Sequence, residues 1–76
     1  MKELVQFIAQ QLVNNPEAVE VKEIQGETAS VLELRVAQED LGRVIGKQGR
    51  TAKSFRTILS AVAARKNRRV TLEIVE

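Results

Sequence analysis

Leu41-Gly42-Arg43-Val44-Ile45-Gly46-Lys47-Gln48-Gly49-Arg50 sets two glycines, Gly46 and Gly49, on either side of two polar residues. Before them lies a short apolar piece, residues 41–45, long enough for about one and a half helical turns. After them Ala52, Phe55, Ile58, Leu59, Val62 and Ala63 recur at helical spacing, which predicts a helix from Arg50 to Lys66. The segment therefore reads as helix, G-x-x-G loop, helix. Glycine at both ends lets the backbone turn tightly and lets a ligand approach without a Cβ in the way. The loop also leads into a helix N-terminus, where free N–H groups and the positive end of the dipole favour an anion. By itself a G-x-x-G loop is more often a plain turn between two helices.

Outward from this loop the chain alternates between helical and extended patterns. Leu4, Val5, Ile8 and Leu12, with Phe7, Ala9 and Val13 widening the stripe, predict a helix over residues 3–13, stopped by Asn14-Asn15-Pro16. Both phenylalanines of the chain, Phe7 and Phe55, fall within these core stripes. Residues 19–25 read as a strand through Val19, Val21 and Ile24. The phase slips between Val21 and Ile24, which suggests a bulge or a fraying end. A turn at Gln25-Gly26-Glu27-Thr28 leads to a clearer strand over residues 30–36, with Leu32, Leu34 and Val36 alternating against Glu33 and Arg35. Beyond the long helix Asn67 serves as a cap, and residues 69–75 form a last strand with Val70, Leu72 and Ile74 on one side.

The predicted order is α-β-β-α-α-β, an α+β fold in one domain spanning residues 1–76. The first two strands form a hairpin. The second and third are joined through two helices, so they should run parallel, giving a three-stranded mixed sheet with helices on one face.

Charge singles out the same segment. Between Leu41 and Leu72 stand nine basic residues (Arg43, Lys47, Arg50, Lys53, Arg56, Arg65, Lys66, Arg68 and Arg69) and no acid. All ten acids lie elsewhere, with only Lys2, Lys22 and Arg35 beside them, so the net charge of +2 conceals a strongly cationic region. A polyanion is attracted to that region and repelled by the rest. Composition excludes several chemistries. Without Cys or His there is no thiol redox centre, zinc site or imidazole base. Glu17, Glu20, Glu23 and Glu27 are spread over a strand and a turn and read as a solvated face, so neither a metal nor another cofactor is expected. A P-loop is ruled out, since Gly42 and Gly46 stand too close together and Gln48 occupies the position that needs Ser or Thr. No apolar run is long enough for a bilayer, and Met1-Lys2-Glu3-Leu4 does not resemble a signal peptide, so the expected compartment is the cytoplasm.

Val44-Ile45-Gly46-Lys47-Gln48-Gly49-Arg50 after a strand resembles the signature of KH domains, whose G-x-x-G loop clamps the backbone of about four nucleotides. The element order resembles the type II arrangement. Chain length, the Leu-bearing first helix and the ending Arg69-Val70-Thr71-Leu72-Glu73-Ile74 are similar to the small bacterial KhpA (YlqC-like) family. The resemblance implies a non-catalytic protein that grips single-stranded RNA, with no small-molecule substrate, as an RNA chaperone or post-transcriptional regulator. It assigns Gly46 and Gly49 to backbone contact, Lys47 and Gln48 to phosphates, and Val44 and Ile45 to an apolar groove for bases. The last two are equally readable as core. Arg43, Arg50 and Lys53 complete the expected site by proximity. Partners implied are a second copy or a larger KH protein of the Jag/KhpB type, and a dimerisation subunit with little RNA affinity is the competing reading. Arg65-Lys66-Asn67-Arg68-Arg69 reads as helix-end chemistry rather than as an RNA contact.

Overall fold

The computed structural model describes residues 1–76. Its elements follow the expected order: α1 (Lys2–Leu12), β1 (Glu20–Gln25), β2 (Ala29–Arg35), α2 (Leu41–Ile45), α3 (Arg50–Arg65) and β3 (Arg69–Ile74). Single 3-10 turns at Pro16–Ala18, Gln38–Asp40 and Lys47–Gly49 link them. β2 is the central strand, antiparallel to β1 and parallel to β3.

The sheet's two faces differ because successive side chains of a strand point opposite ways. On β2, Ser30, Leu32 and Leu34 are buried, while Val31, Glu33 and Arg35 point to the other side and keep contact with water. Register places Val21 opposite Leu34 on one side and Leu72 opposite Leu32 on the other. The helices close over this apolar face, with Val5 and Ala9 from α1, Val44 from α2 and Phe55 and Leu59 from α3 joining one cluster.

Three expectations are corrected by the packing. Phe7 is not a core residue but is 62% exposed. At about 100° per residue it lies two steps round the helix from the buried Val5, on the far side. Ile58, three residues beyond the buried Phe55, sits at the margin of its stripe and is 46% exposed. No bulge occurs in β1, because Ile24 pairs with Val31 in an unbroken register. The phase slip is resolved by turning Ile24 to the open face, where it is 49% exposed.

Two polar side chains hold the connections. Asp40 is completely buried, and its carboxylate accepts the backbone N–H of Asn14 at 3.1 Å and of Asn15 at 3.0 Å. This ties the segment after α1 to the start of α2. Arg68 donates to the carbonyls of Gly26 and Glu27, each at 3.3 Å, and to the Ser30 hydroxyl at 3.0 Å. It thereby locks the β1–β2 turn against the start of β3. α3 ends as the sequence leads one to expect, with Asn67 in the left-handed region (φ 55°). There the N–H of Asn67 reaches Ala64 O and that of Arg68 reaches Ala63 O, the paired bonds of a Schellman ending.

Candidate nucleic-acid interface

The loop is built by three unusual backbone positions within four residues. α2 stops where the N–H of Gly46 bonds the Gly42 carbonyl at 2.8 Å. Gly46 then takes φ 78° and ψ 171°, a region open in practice only to glycine. Gln48 (φ 58°, ψ 26°) and Gly49 (φ 75°, ψ 13°) follow in the left-handed region, and α3 begins at Arg50. A 3.1 Å bond from the Gly49 N–H to the Gly46 carbonyl closes the turn. No side chain caps α3. The loop's own backbone takes the N–H of Arg50, which bonds the Lys47 carbonyl, and the positive end of the helix dipole points into the loop.

The two glycines do different work. A Cβ on Gly46 would lie 2.8 Å from the backbone nitrogen of Thr51 and closer still to its side chain. The space is filled by the protein itself, so Gly46 serves the close approach of α2 to α3. A Cβ on Gly49 would meet nothing within 4 Å. The two glycines, alike in the sequence, therefore have different surroundings, one filled by Thr51 and the other open.

Lys47 and Gln48 are exposed at the loop tip, and Arg50 and Lys53 are exposed on the first turn of α3. Their spacing places the last two side by side on one helical flank. None of these three cations has an acid within salt-bridge distance, the only ion pairs in the chain being Met1 with Glu3 and Arg43 with Asp40. Arg43 is therefore partly committed, its Nε 3.7 Å from the buried Asp40 carboxylate. Val44 is wholly buried and has no surface to offer a base, which corrects its groove assignment. Burial follows from its place on the inward side of α2, against the core cluster. Ile45, packed on the edge of that cluster, keeps partial exposure.

Arg56 was not among the residues expected at the site. Its Nε donates to the Leu72 carbonyl at 3.2 Å, spanning from α3 to the outer edge of β3. The available signal was spacing, since Arg56 stands three residues after Lys53. The second basic cluster divides: Arg68 is used inside the fold, whereas Arg65 and Lys66 are exposed. No three Asp or Glu residues come together in a way that could hold a metal ion. No helix is long and apolar enough to cross a membrane.

A family model described as KhpA/KhpB, KH domain, matches residues 2–74. The chain belongs to that family. It is 53% identical over 75 residues to the RNA-binding protein KhpA of Clostridium perfringens, covering 99% of this chain and all of that one. It is 51% identical over 76 residues to the RNA-binding protein KhpA of Chlamydia pneumoniae, covering the whole of this chain and 97% of that protein. Among solved structures, Era, crystallised with MgGDPNP and nucleotides 1506–1542 of 16S ribosomal RNA, aligns over 96% of this chain. The TM-score is 0.57 at 27% identity, and the match takes up 28% of the Era chain. The three-stranded mixed sheet with its helices on one face is the type II KH arrangement that the sequence predicts.

Proposed function

We propose that this chain is a non-catalytic RNA-binding module that clamps the backbone of single-stranded RNA at Gly46–Gly49. One observation carries the reading: three exposed cations, Lys47, Arg50 and Lys53, free of any acidic partner, surround an uncapped helix N-terminus framed by glycine. A phosphate seated there gains the helix dipole and mobile positive charge together. The family's RNA-binding relatives support it. None of the loop residues lines a recess of the surface. The loop therefore suits gripping a strand from outside rather than enclosing a small molecule. Neither His nor Cys is available for catalysis, and the acids stay outside the cationic segment. We place the protein in the cytoplasm, as an RNA chaperone or post-transcriptional regulator.

Exposed Phe7 and Ile58 on the helical side, with exposed Ala61 and Ala64 on α3, favour association with a second copy or with a larger KH protein. Two linked sites would raise the modest affinity of one loop without new contacts.

The test replaces Lys47 and Gln48 together by Asp and measures binding to a short single-stranded RNA. Three units of charge change where a phosphate sits, at about 1 kcal/mol each even at full water screening, should abolish binding while the fold survives. The control, Arg65→Asp with Lys66→Asp, should cost much less. An equal loss in both would mean diffuse electrostatics without a clamp. Undiminished binding by the folded loop variant would instead leave the dimerisation-subunit reading.

A further inference from the structure

α3 and β3 are joined by a turn of three residues and run back along each other, leaving a cleft between the helix and the free edge of the sheet. The N–H groups of Arg69 and Val75 both donate into β2, to Thr28 O and Leu34 O at 2.9 Å. Strand alternation then turns the N–H and C=O of Val70, Leu72 and Ile74 outward, into this cleft. Arg56 crosses it, held by the single bond from its Nε to Leu72 O. Both of its Nη groups remain without a protein partner, and no acid lies within salt-bridge reach.

One helical turn further on, Ser60 and Ala63 face Arg69, Val70 and Thr71 across a recess of about 280 Å³. In the other direction the loop is close. Arg56 stands seven positions beyond Gly49, about 10 Å of helical rise, within the stretch of about four nucleotides that a G-x-x-G loop holds.

From this geometry we infer that Arg56 is a specificity-determining residue that selects a guanine next to the clamped backbone. The inference rests on the RNA-binding reading above. An arginine fixed through Nε presents its two Nη groups as a planar fork already ordered in place, so little side-chain freedom is lost on binding. Such a fork matches two adjacent acceptors. Guanine offers them as O6 and N7, whereas adenine sets a donor beside N7. Cytosine also carries two neighbouring acceptors, on its pairing edge. Guanine differs in having a second edge with donors, and the recess holds acceptors for them in the Ser60 hydroxyl and the outward carbonyl of Val70. With its O6/N7 edge on Arg56, the purine would point its other edge toward Ser60, one turn along the helix. Guanine therefore satisfies both walls of the cleft.

The experiment measures binding of the unmodified protein to short uridine-rich single strands that carry one guanine, adenine, cytosine or 7-deazaguanine, at one fixed low salt concentration. 7-Deazaguanine differs from guanine at the acceptor in question and requires no change to the protein. The guanine strand should bind about tenfold tighter than each of the others. In Arg56→Lys, which keeps the charge and loses the fork, the ratio of guanine to 7-deazaguanine affinity should fall to about one. Circular dichroism establishes that this variant is folded. Equal affinity of the native protein for guanine and 7-deazaguanine overturns the inference. So does a preference for cytosine, or a guanine preference that survives in Arg56→Lys. If those results accompany binding that still depends on Lys47 and Gln48, the clamp stands and only the guanine reader falls. If no single strand binds at all, both fall together.

Discussion

Replacing Gly46 by alanine tests the loop's construction, and the structure supplies the terms of the estimate. Gly46 holds φ 78° and ψ 171°. Putting a side chain on that backbone costs about 1–3 kcal/mol by itself. The new Cβ would also lie 2.8 Å from the Thr51 backbone nitrogen, which belongs to the first turn of α3 and cannot retreat unless the helix shifts. Strain and overlap together suggest a loss of about 3–4 kcal/mol. Gly49→Ala is the internal comparison. Its backbone is left-handed, but its Cβ would stand in open space. Only the conformational cost of about 1–2 kcal/mol applies there. A domain of this size has roughly 4–11 kcal/mol of stability in total. Each kcal/mol shifts the melting temperature by about 4–8 °C. Thermal unfolding followed by far-ultraviolet circular dichroism should therefore show Gly49→Ala about 5–10 °C below the native protein and Gly46→Ala about 15 °C or more below. Adding Thr51→Ala to Gly46→Ala should recover little, because the nitrogen and Cβ of residue 51 remain. Equal losses for the two glycines, or full rescue by Thr51→Ala, would refute the assignment of Gly46 to helix packing.

Asp40→Ala should destabilise the fold by about 2–4 kcal/mol, because the N–H groups of Asn14 and Asn15 lose a charged acceptor. Asp40→Asn, retaining one acceptor oxygen, should fall between it and the native protein in the midpoint of urea unfolding, and an unchanged midpoint for both would contradict the tether. Arg68→Ala should cost about 1–2 kcal/mol through its three lost hydrogen bonds, measured by calorimetry. Arg65→Ala, at an exposed position with no recorded partner, should stay within about 0.5 kcal/mol of native, and a penalty equal to that of Arg68→Ala would undo the distinction.

Much of the architecture was legible without coordinates because it rests on local rules. Apolar spacing identified all three helices and all three strands, with ends displaced by a residue or so. α1 stops at Leu12 rather than residue 13, and β2 runs Ala29–Arg35 rather than 30–36. Parallel pairing of β2 with β3 followed from the two helices between them, since a strand cannot reverse twice through a short turn. Glycine spacing and the absence of acids between Leu41 and Leu72 marked the loop. These are properties of neighbours along the chain, and a sequence displays neighbours directly.

What the tertiary structure alone decided concerns groups brought together from distant positions. Phe7 and Ile58 match a helical stripe by spacing, but how wide that stripe is buried depends on what packs above it, and both remain outside. Gly46 and Gly49 are alike in the sequence. Only the placement of Thr51 against one of them separates a packing role from an open approach. The nine cations of the basic segment are equal as letters. In the fold Arg68 is taken up by the β1–β2 turn, some forty residues earlier, Arg43 leans on Asp40, and Arg56 is fixed by Leu72. A charge can be counted from composition, but whether it is free depends on distances to groups far off in the chain, and those distances exist only once the sheet and helices have closed.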